Sequence, residues 1–293
     1  MDSNQVSILI VMPVHNEAVN IRPCLDSFIG QTRIPDFLRV VDDHSTDGTA
    51  EIVREYASKH SWISLIERRS TPRRQPGAKV VDAFLGGLPK DWEQFDYIGK
   101  FDGDIVLPPT YFETILQTFA LRPALGMCSG LLYTQQQGAW VYEPISERSH
   151  VRGPVKCYSR SCFRAIGGLR PFIGWDTADV LLARFYGFET ETRPDLIVRH
   201  LRPTGRGYSA RNAGLQGMAL YNLRYGWLLS GVAAVKMSLT RKAPLLPWHA
   251  LLAYFRAYIS RKPRMLTREQ GQFARKWRWK GVYNRLFKGF GYR

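Results

Sequence analysis

Two carboxylates one residue apart close a short apolar run in Tyr97-Ile98-Gly99-Lys100-Phe101-Asp102-Gly103-Asp104-Ile105-Val106. In an extended segment alternate side chains point the same way, so Asp102 and Asp104 can share one target. Acids at the end of a buried strand are costly unless they face a cation or a hydrogen-bond donor. Oxygen ligands of this kind suit Mg²⁺ or Mn²⁺, held through one or two carboxylates plus substrate phosphates. Gly103 would let a ligand come close to the backbone. Asp-x-Asp is short and common, and a strand that merely ends in an acidic turn would look the same.

The elements upstream are those that could position such a pair. Val6–Met12 is a continuous apolar run, as expected of a parallel strand covered on both faces. It lacks the basic leader and cleavage site of a secretory signal. Pro13-Val14-His15-Asn16-Glu17 breaks it and leads into an amphipathic helix over 18–30, with Ile21, Leu25, Phe28 and Ile29 inward. A second strand, Phe37–Val41, ends in Asp42-Asp43-His44-Ser45-Thr46-Asp47-Gly48-Thr49. That segment can cap the helix predicted over 50–60, before a third strand at 63–67. The order β-α-β-α-β predicts a doubly wound sheet, whose ligands sit outside the carboxyl ends of the strands. Pro13–Glu17, Asp42–Asp47 and Asp102–Asp104 all fall at that edge.

These motifs, in this order, resemble those of the family 2 glycosyltransferases, inverting GT-A enzymes that use nucleotide sugars. The usual forms are Pro-x-Tyr-Asn-Glu and Val-Asp-Asp-Gly-Ser-x-Asp; here His15 stands for the aromatic and His44 for the glycine. The resemblance implies an α/β, GT-A fold, a Rossmann-like mixed sheet flanked by helices. It also assigns roles. Asp43 would accept from the nucleobase N–H, with Pro13, His15 and Glu17 walling the base and ribose; capping is the alternative for Asp42 and Asp43. Asp102, with Gly103 between, and Asp104 would hold the diphosphate and a Mg²⁺ or Mn²⁺ ion. His200, at the end of a strand predicted over 190–200, would be a third metal ligand or a structural histidine.

Between these motifs, Arg68–Lys79 is a basic, proline-broken loop opening a helix, and Lys79 is the residue there best placed to hold diphosphate oxygens. The family places the catalytic base after a strand, a short helix and a Gly-Gly turn. Here Gly167-Gly168 is followed by Trp175-Asp176-Thr177-Ala178-Asp179, with Arg184 and Gly187-Phe188 beyond. Trp175 stands where the usual motif has Glu, and Asp176 matches its second acid. Inversion needs a carboxylate opposite the leaving group to take the acceptor's proton. Asp179 is the alternative base, and either acid could instead cap a helix over 178–186. Arg202 and Arg206 lie in a Gly- and Arg-rich segment suited to closing over a bound donor.

Composition bounds the rest. The chain has 293 residues, 45% of them hydrophobic, enough for one large domain with an appendage. Its charge of +16 is uneven. Residues 199–293 hold 20 Lys and Arg against Glu269 alone, whereas residues 1–198 carry 21 bases and 24 acids. A catalytic domain is therefore expected over 1–210 and a basic helical extension over 211–293. Trp and Tyr interleaved with Lys and Arg, as in Arg275-Lys276-Trp277-Arg278-Trp279-Lys280, is the composition of segments lying in a lipid headgroup layer. A packed helical subdomain with a solvated basic face is the competing reading, and no nucleic-acid module is present. No run reaches the roughly 18 apolar residues needed to span a bilayer. The cysteines Cys24, Cys128, Cys157 and Cys162 lack zinc-site spacing and read as reduced thiols in the cytoplasm. The expected partners are a nucleotide-sugar donor, a glycan or lipid-linked acceptor and the inner face of an anionic membrane. A nucleotidyltransferase would instead carry a glycine-rich basic motif after the first strand; a catalytically silent binding protein remains the other rival.

Overall fold

A computed structural model describes residues 6–69, 77–202, 210–241 and 243–288. The chain forms two compact units, one comprising residues 1–74, 79–169 and 186–204, the other 75–78, 170–185 and 205–293.

The first unit is built on a nine-stranded mixed sheet. In chain order it contains β1 (Ile8–Val14), α1 (Ile21–Ile29), β2 (Phe37–Asp43), α2 (Thr49–Lys59), β3 (Ile63–Arg68) and α3 (Ala78–Gly87). Then come β4 (Tyr97–Phe101), β5 (Ile105–Val106), α4 (Tyr111–Leu121), β6 (Leu125–Gln136), β7 (Ala139–Tyr142), β8 (Val155–Ser159), α5 (Arg160–Ile166) and β9 (Glu189–His200). Strand order is β3-β2-β1-β4-β8-β6-β9-β5, with β7 paired to β6. The half made by β3, β2, β1 and β4 is parallel. Beyond it β8 runs antiparallel to both β4 and β6, so the sheet is mixed rather than doubly wound throughout.

A continuous apolar run puts β1 in the middle of this sheet, where both faces are covered, with β2 beside it. Ile8, Ile10, Met12 and Val14 pack with Leu25 and Phe28 of α1 and with Phe101, Phe112 and Tyr111 in one core. Tyr111 is wholly buried, and its hydroxyl donates to Val155 O (3.1 Å) while accepting from Gly130 N (3.2 Å). The polar stretch 133–150 contains a hairpin. Gln137 (φ 48°) and Gly138 (φ 85°) form a two-residue turn joining β6 to β7, with Gln136 opposite Ala139. The four cysteines are buried and free of disulfides.

The second unit is helical among its described residues: α6 (Trp175–Phe185), α7 (Ala210–Asn222), α8 (Gly226–Arg241), α9 (Leu246–Ile259) and α10 (Arg268–Lys288). Apolar residues recur at helical spacing through 215–230, which alone would predict one helix to Ser230 with a break at Gly231. The break instead lies at 223–225, where Arg224 (φ 53°) and Gly226 (φ 76°) adopt left-handed backbone. Pro247 sits in the first turn of α9, where its missing N–H costs nothing. The core between these helices is made of small residues, Ala213, Ala234, Ala243 and Ala250 with Leu246. At Gly217 of α7 a Cβ would collide with the Ala250 backbone of α9, so the two helices cross at the closest possible approach.

Candidate active site

At the carboxyl ends of β1 and β2 the two polar loops are laced together. Asn16 N donates to Ser45 Oγ (2.9 Å), Thr46 N to Asn16 Oδ1 (2.9 Å), Ala18 N to Asp47 Oδ2 (3.0 Å) and Glu17 N to Thr49 Oγ1 (2.8 Å). Asp47 also accepts from Thr49 N (3.1 Å), which confines it to shaping the turn into α2. Asp42 accepts from Ser45 N (3.1 Å) and from the Ser45 hydroxyl, so its carboxylate closes the loop. Asp43, next along, is buried at the strand end. His44 adopts φ 62°, the backbone that a glycine would take without steric cost.

His15 is exposed beside Asp43, and its Nδ1 lies 2.8 Å from Asp43 O. A carbonyl can only accept, so Nδ1 carries a proton there. Pro13, one residue from the end of β1, is partly covered. Glu17 is buried, and its Oε2 accepts from Asn20 Nδ2 (3.0 Å).

The end of β4 adds the acid pair. Lys100, with a side chain 2% exposed, is ion-paired to Asp102 Oδ1. Asp104 is buried two residues on. Its Oδ1 lies 3.6 Å from His200 Nε2, and its Oδ2 accepts from Arg202 Nε (3.3 Å). Arg202 also donates to Glu17 Oε1. The antiparallel pairing of β5 with β9, Ile105 opposite His200, is what brings residues nearly a hundred positions apart together. The gap between Asp104 and Glu17 is thus bridged by a cation that is itself 59% exposed.

Behind His200 stands Glu143, whose Oε2 receives His200 Nδ1 (3.2 Å) and Arg152 Nη1 (2.6 Å). Neither Glu143 nor Arg152 stands out in the sequence. Burial alone would depress the His200 pKa, but contacts and charge from Asp104 and Glu143 outweigh it and raise it to about 9. For Asp104, burial pushes upward, yet His200, Arg202 and Lys100 together hold it below the ordinary carboxylate value. Glu17 moves the other way: burial raises it, the Asp104 charge adds to that, and Asn20 and Arg202 only partly offset them.

Glu17, Asp104, His200 and Arg202 are therefore assembled in direct contact, with Asp102 paired to Lys100 beside them. At Gly103 a Cβ would lie 2.7 Å from Val14 Cγ1, so the backbone there is pressed onto the end of β1. Lys79 is half-buried in the first turn of α3, and the contacts that assemble the acid cluster do not include it. Residues 70–74 of the basic loop and Arg206 lie outside the described residues. In the second unit, Asp176 sits partly exposed in the first turn of α6. Asp179 is 2% exposed, and its Oδ1 accepts from Val180 N (2.7 Å).

Do these residues suit a divalent ion? Among the described residues no group of three His, Cys, Asp or Glu is gathered tightly enough to hold one alone. Asp104 and His200 do present an oxygen and a nitrogen 3.6 Å apart, a separation an ion at about 2.1 Å from each can bridge. The Glu143 contact fixes the ring so that Nε2 faces that gap, as ligating histidines require. One or two carboxylates plus phosphate oxygens is the arrangement usual for Mg²⁺, and Asp104 is such a carboxylate.

Comparison with known proteins places the fold and the family. Residues of TarS (1–349) from S. aureus, in complex with UDP-GlcNAc, superpose with a TM-score of 0.60 at 14% identity, covering 98% of this chain and 93% of that one. The likeness shows the fold, the mixed α/β GT-A arrangement expected from the sequence. Putative glycosyltransferase EpsH of Bacillus subtilis is 25% identical over 172 residues, 59% of this chain and 46% of that protein. Poly(ribitol-phosphate) beta-glucosyltransferase of Bacillus spizizenii is 38% identical over 80 residues, 27% of this chain and 12% of its own length. The chain spans less than half the length of these curated relatives. The Glycosyl transferase family 2 profile matches residues 9–167, a stretch that begins in β1, ends at the α5 glycine turn and takes in all three strand-end motifs. With more than half of its residues accounted for in this way, the chain belongs to glycosyl transferase family 2.

Proposed function

We propose that the protein transfers a sugar from a nucleoside diphosphate donor to an acceptor hydroxyl, with inversion at the anomeric carbon. The observation that carries this reading is the contact set Glu17–Arg202–Asp104–His200–Glu143, which joins the ends of β1, β4, β7 and β9 into one polar site. Structures of the same fold have been solved with UDP-GlcNAc, and with GDP-Man and Mn²⁺ in the Pyrobaculum calidifontis mannosyltransferase PcManGT.

In this reading Asp43 accepts from the base N–H, while Pro13, His15 and Glu17 wall the base and ribose. The Nδ1 proton of His15 is already spent on Asp43 O, which leaves its ring face for stacking. Asp104 and His200, with Asp102 and the Gly103 backbone alongside, would hold Mg²⁺ or Mn²⁺. When bound, the ion would offset the charge of the departing diphosphate. His200 would hold the ion only as the neutral ring, with its Nδ1–H kept by Glu143, which also accepts from Arg152. Arg202 must exchange at least one carboxylate for a phosphate oxygen, and its exposure lets it do so; Lys79 would add a second positive charge. Asp176 would take the acceptor's proton. Asp179 is the poorer base because its carboxylate is buried and engaged by Val180 N. The acceptor would be a glycan or a lipid-linked saccharide, as in surface polysaccharide assembly, reached at the cytoplasmic face of an anionic membrane.

The test is donor hydrolysis and transfer across UDP-, GDP- and dTDP-sugars with Mn²⁺, Mg²⁺ or chelator. Turnover of one donor class, lost on chelation and in Asp104→Asn, is the expected result. No turnover of any donor by the wild type, with its cellular function kept in Asp104→Asn and Asp176→Asn, would make the protein a silent relative.

A further inference from the structure

The outward faces of α8 and α9 contradict what water selects. A surface helix normally turns charge outward and buries its apolar stripe. On α8 the exposed residues Leu228, Val232, Val235 and Leu239 follow one another at four-, three- and four-residue spacing, a single stripe, and Leu239 is 76% exposed. On α9 the same spacing recurs in Trp248, Leu252, Phe255 and Ile259, with Trp248 at 70% and Ile259 at 78%. Neither helix contains an acid. The inner side of the pair is alanine-rich, with Leu229, Leu246 and Tyr254 buried beside the alanines, so many of its bulkiest apolar side chains are left outside. An apolar stripe left in water on each of two packed helices marks a surface that meets something other than water.

Charge says what that is. Beyond the end of α9 a cavity of about 510 Å³ is lined by Tyr221, Arg224, Tyr258, Arg261, Lys262 and Arg264 with Pro263. The Arg264 guanidinium lies 4.3 Å over the Tyr221 ring and 5.7 Å from that of Tyr258, which leaves its N–H edge for an anion. A second copy of the chain would bring like charge against like, because residues 199–293 carry 20 bases and one acid. An anionic bilayer offers the complement to both features, acyl chains for the stripe and phosphates for the bases. At 16 and 14 residues the helices are shorter than the roughly 20 needed to cross a bilayer. They fit lying in its plane, and no described helix is long and apolar enough to cross.

We propose that the α8–α9 pair is a membrane-docking surface. Its paired stripes seat in the headgroup–acyl boundary, and the Arg261, Lys262 and Arg264 cluster binds lipid phosphates. This names the surface behind the membrane part of the function proposed above and rests on that reading only for the identity of the acceptor.

The full chain is mixed with phosphatidylcholine vesicles, with and without phosphatidylglycerol, and floated. Expected are binding to the anionic vesicles at low salt, binding about tenfold or more weaker to neutral ones, and quenching of tryptophan fluorescence by lipids brominated on the acyl chain. The double variant Leu252→Glu, Ile259→Glu should lose about tenfold or more in partitioning with unchanged melting, because both positions are exposed. Arg261→Gln and Lys262→Gln should each lose about fivefold and flatten the salt dependence. The proposal is overturned by absence of flotation at low salt, by binding indifferent to these variants, or by a dimer that Leu252→Glu, Ile259→Glu converts to monomer. Soluble glycerol phosphate that abolishes flotation while brominated lipids fail to quench would also overturn it, reducing the surface to a phosphate site. Binding of UDP-, GDP- and dTDP-sugars measured on the same samples separates the two readings: vesicle binding without binding of any donor sinks the transferase, and the converse sinks the docking surface.

Discussion

The strand-end site and the α8–α9 pair break the ordinary rule of burial in opposite directions. In the first, Asp104, His200, Glu143, Glu17 and Lys100 are charged or titratable groups withdrawn from water. In the second, ten large apolar side chains are left in it, eight of them in the two stripes. The buried charges are tolerable because each has a partner within the same unit: Lys100 with Asp102, Arg152 with Glu143, Arg202 with Glu17 and Asp104. The exposed apolar stripes have nothing comparable. Folding has compensated one violation internally and left the other for an external surface to compensate. An ordinary helix such as α2 shows the contrast, for its outer side carries Glu51, Arg54, Glu55 and Lys59.

The largest effect should come from the site. Asp104→Asn keeps the shape but removes the charge that faces His200 and Arg202, and donor turnover should fall about 10²-fold or more in single-turnover assays. Undiminished turnover would make the buried charges merely structural. Next in size, Glu143→Gln should weaken Mn²⁺ binding by about 10- to 100-fold, because the ring of His200 loses its fixed orientation. The same change leaves Arg152 buried beside a neutral amide and should cost about 3 kcal/mol in urea unfolding. A loss of binding without loss of stability would separate the two roles.

The third prediction concerns pH. In chelated protein the folded His200 pKa of about 9 exceeds its ordinary value of 6.5. Its contribution to stability is therefore complete below about pH 6.5 and fades as pH rises towards 9. Thermal melts of the wild type should show that decline, and those of His200→Gln should not. Saturating Mn²⁺ should also remove it, since the ligated ring is neutral.

The smallest effects belong to the surface. Ile259→Lys should alter stability in water by only about 0.5 kcal/mol, because a side chain already in solvent has little packing to lose. Glu67→Gln, which breaks an ion pair with Arg54 exposed on both sides, should cost less than about 1 kcal/mol. A marked destabilisation by Ile259→Lys would mean that the stripe is packed against protein after all.

How much of this could be read from the chain depended on range. The parallel half of the sheet was legible because each strand is a short apolar run followed at once by a polar turn. The acids at its ends announced themselves for the same reason. Glu143 did not, because its meaning lies in His200, 57 residues away, and in Arg152 across a loop. The β6–β7 turn is not legible in the sequence, because it is Gln137-Gly138 rather than Asn-Gly, with the left-handed residue hidden in an unremarkable glutamine. The α7–α8 break was missed because the periodic pattern continues through Leu223, Arg224 and Tyr225, and only the backbone reveals the reversal. Composition did flag the last third as basic and aromatic. It could not tell that the bulky residues would point outward, since a stripe at helical spacing has no inside until a neighbour is placed against it.

The missing Cβ at Gly217 has a kinetic corollary. With α7 and α9 in backbone contact there, the spacing of Trp248, Leu252, Phe255 and Ile259 is set before any encounter. A segment that coils only on arrival must give up chain freedom at that moment, whereas a preformed platform has none left to surrender. Attachment should then proceed as fast as collision and orientation allow, and enlarging Gly217 to leucine should slow it without altering a single outward side chain.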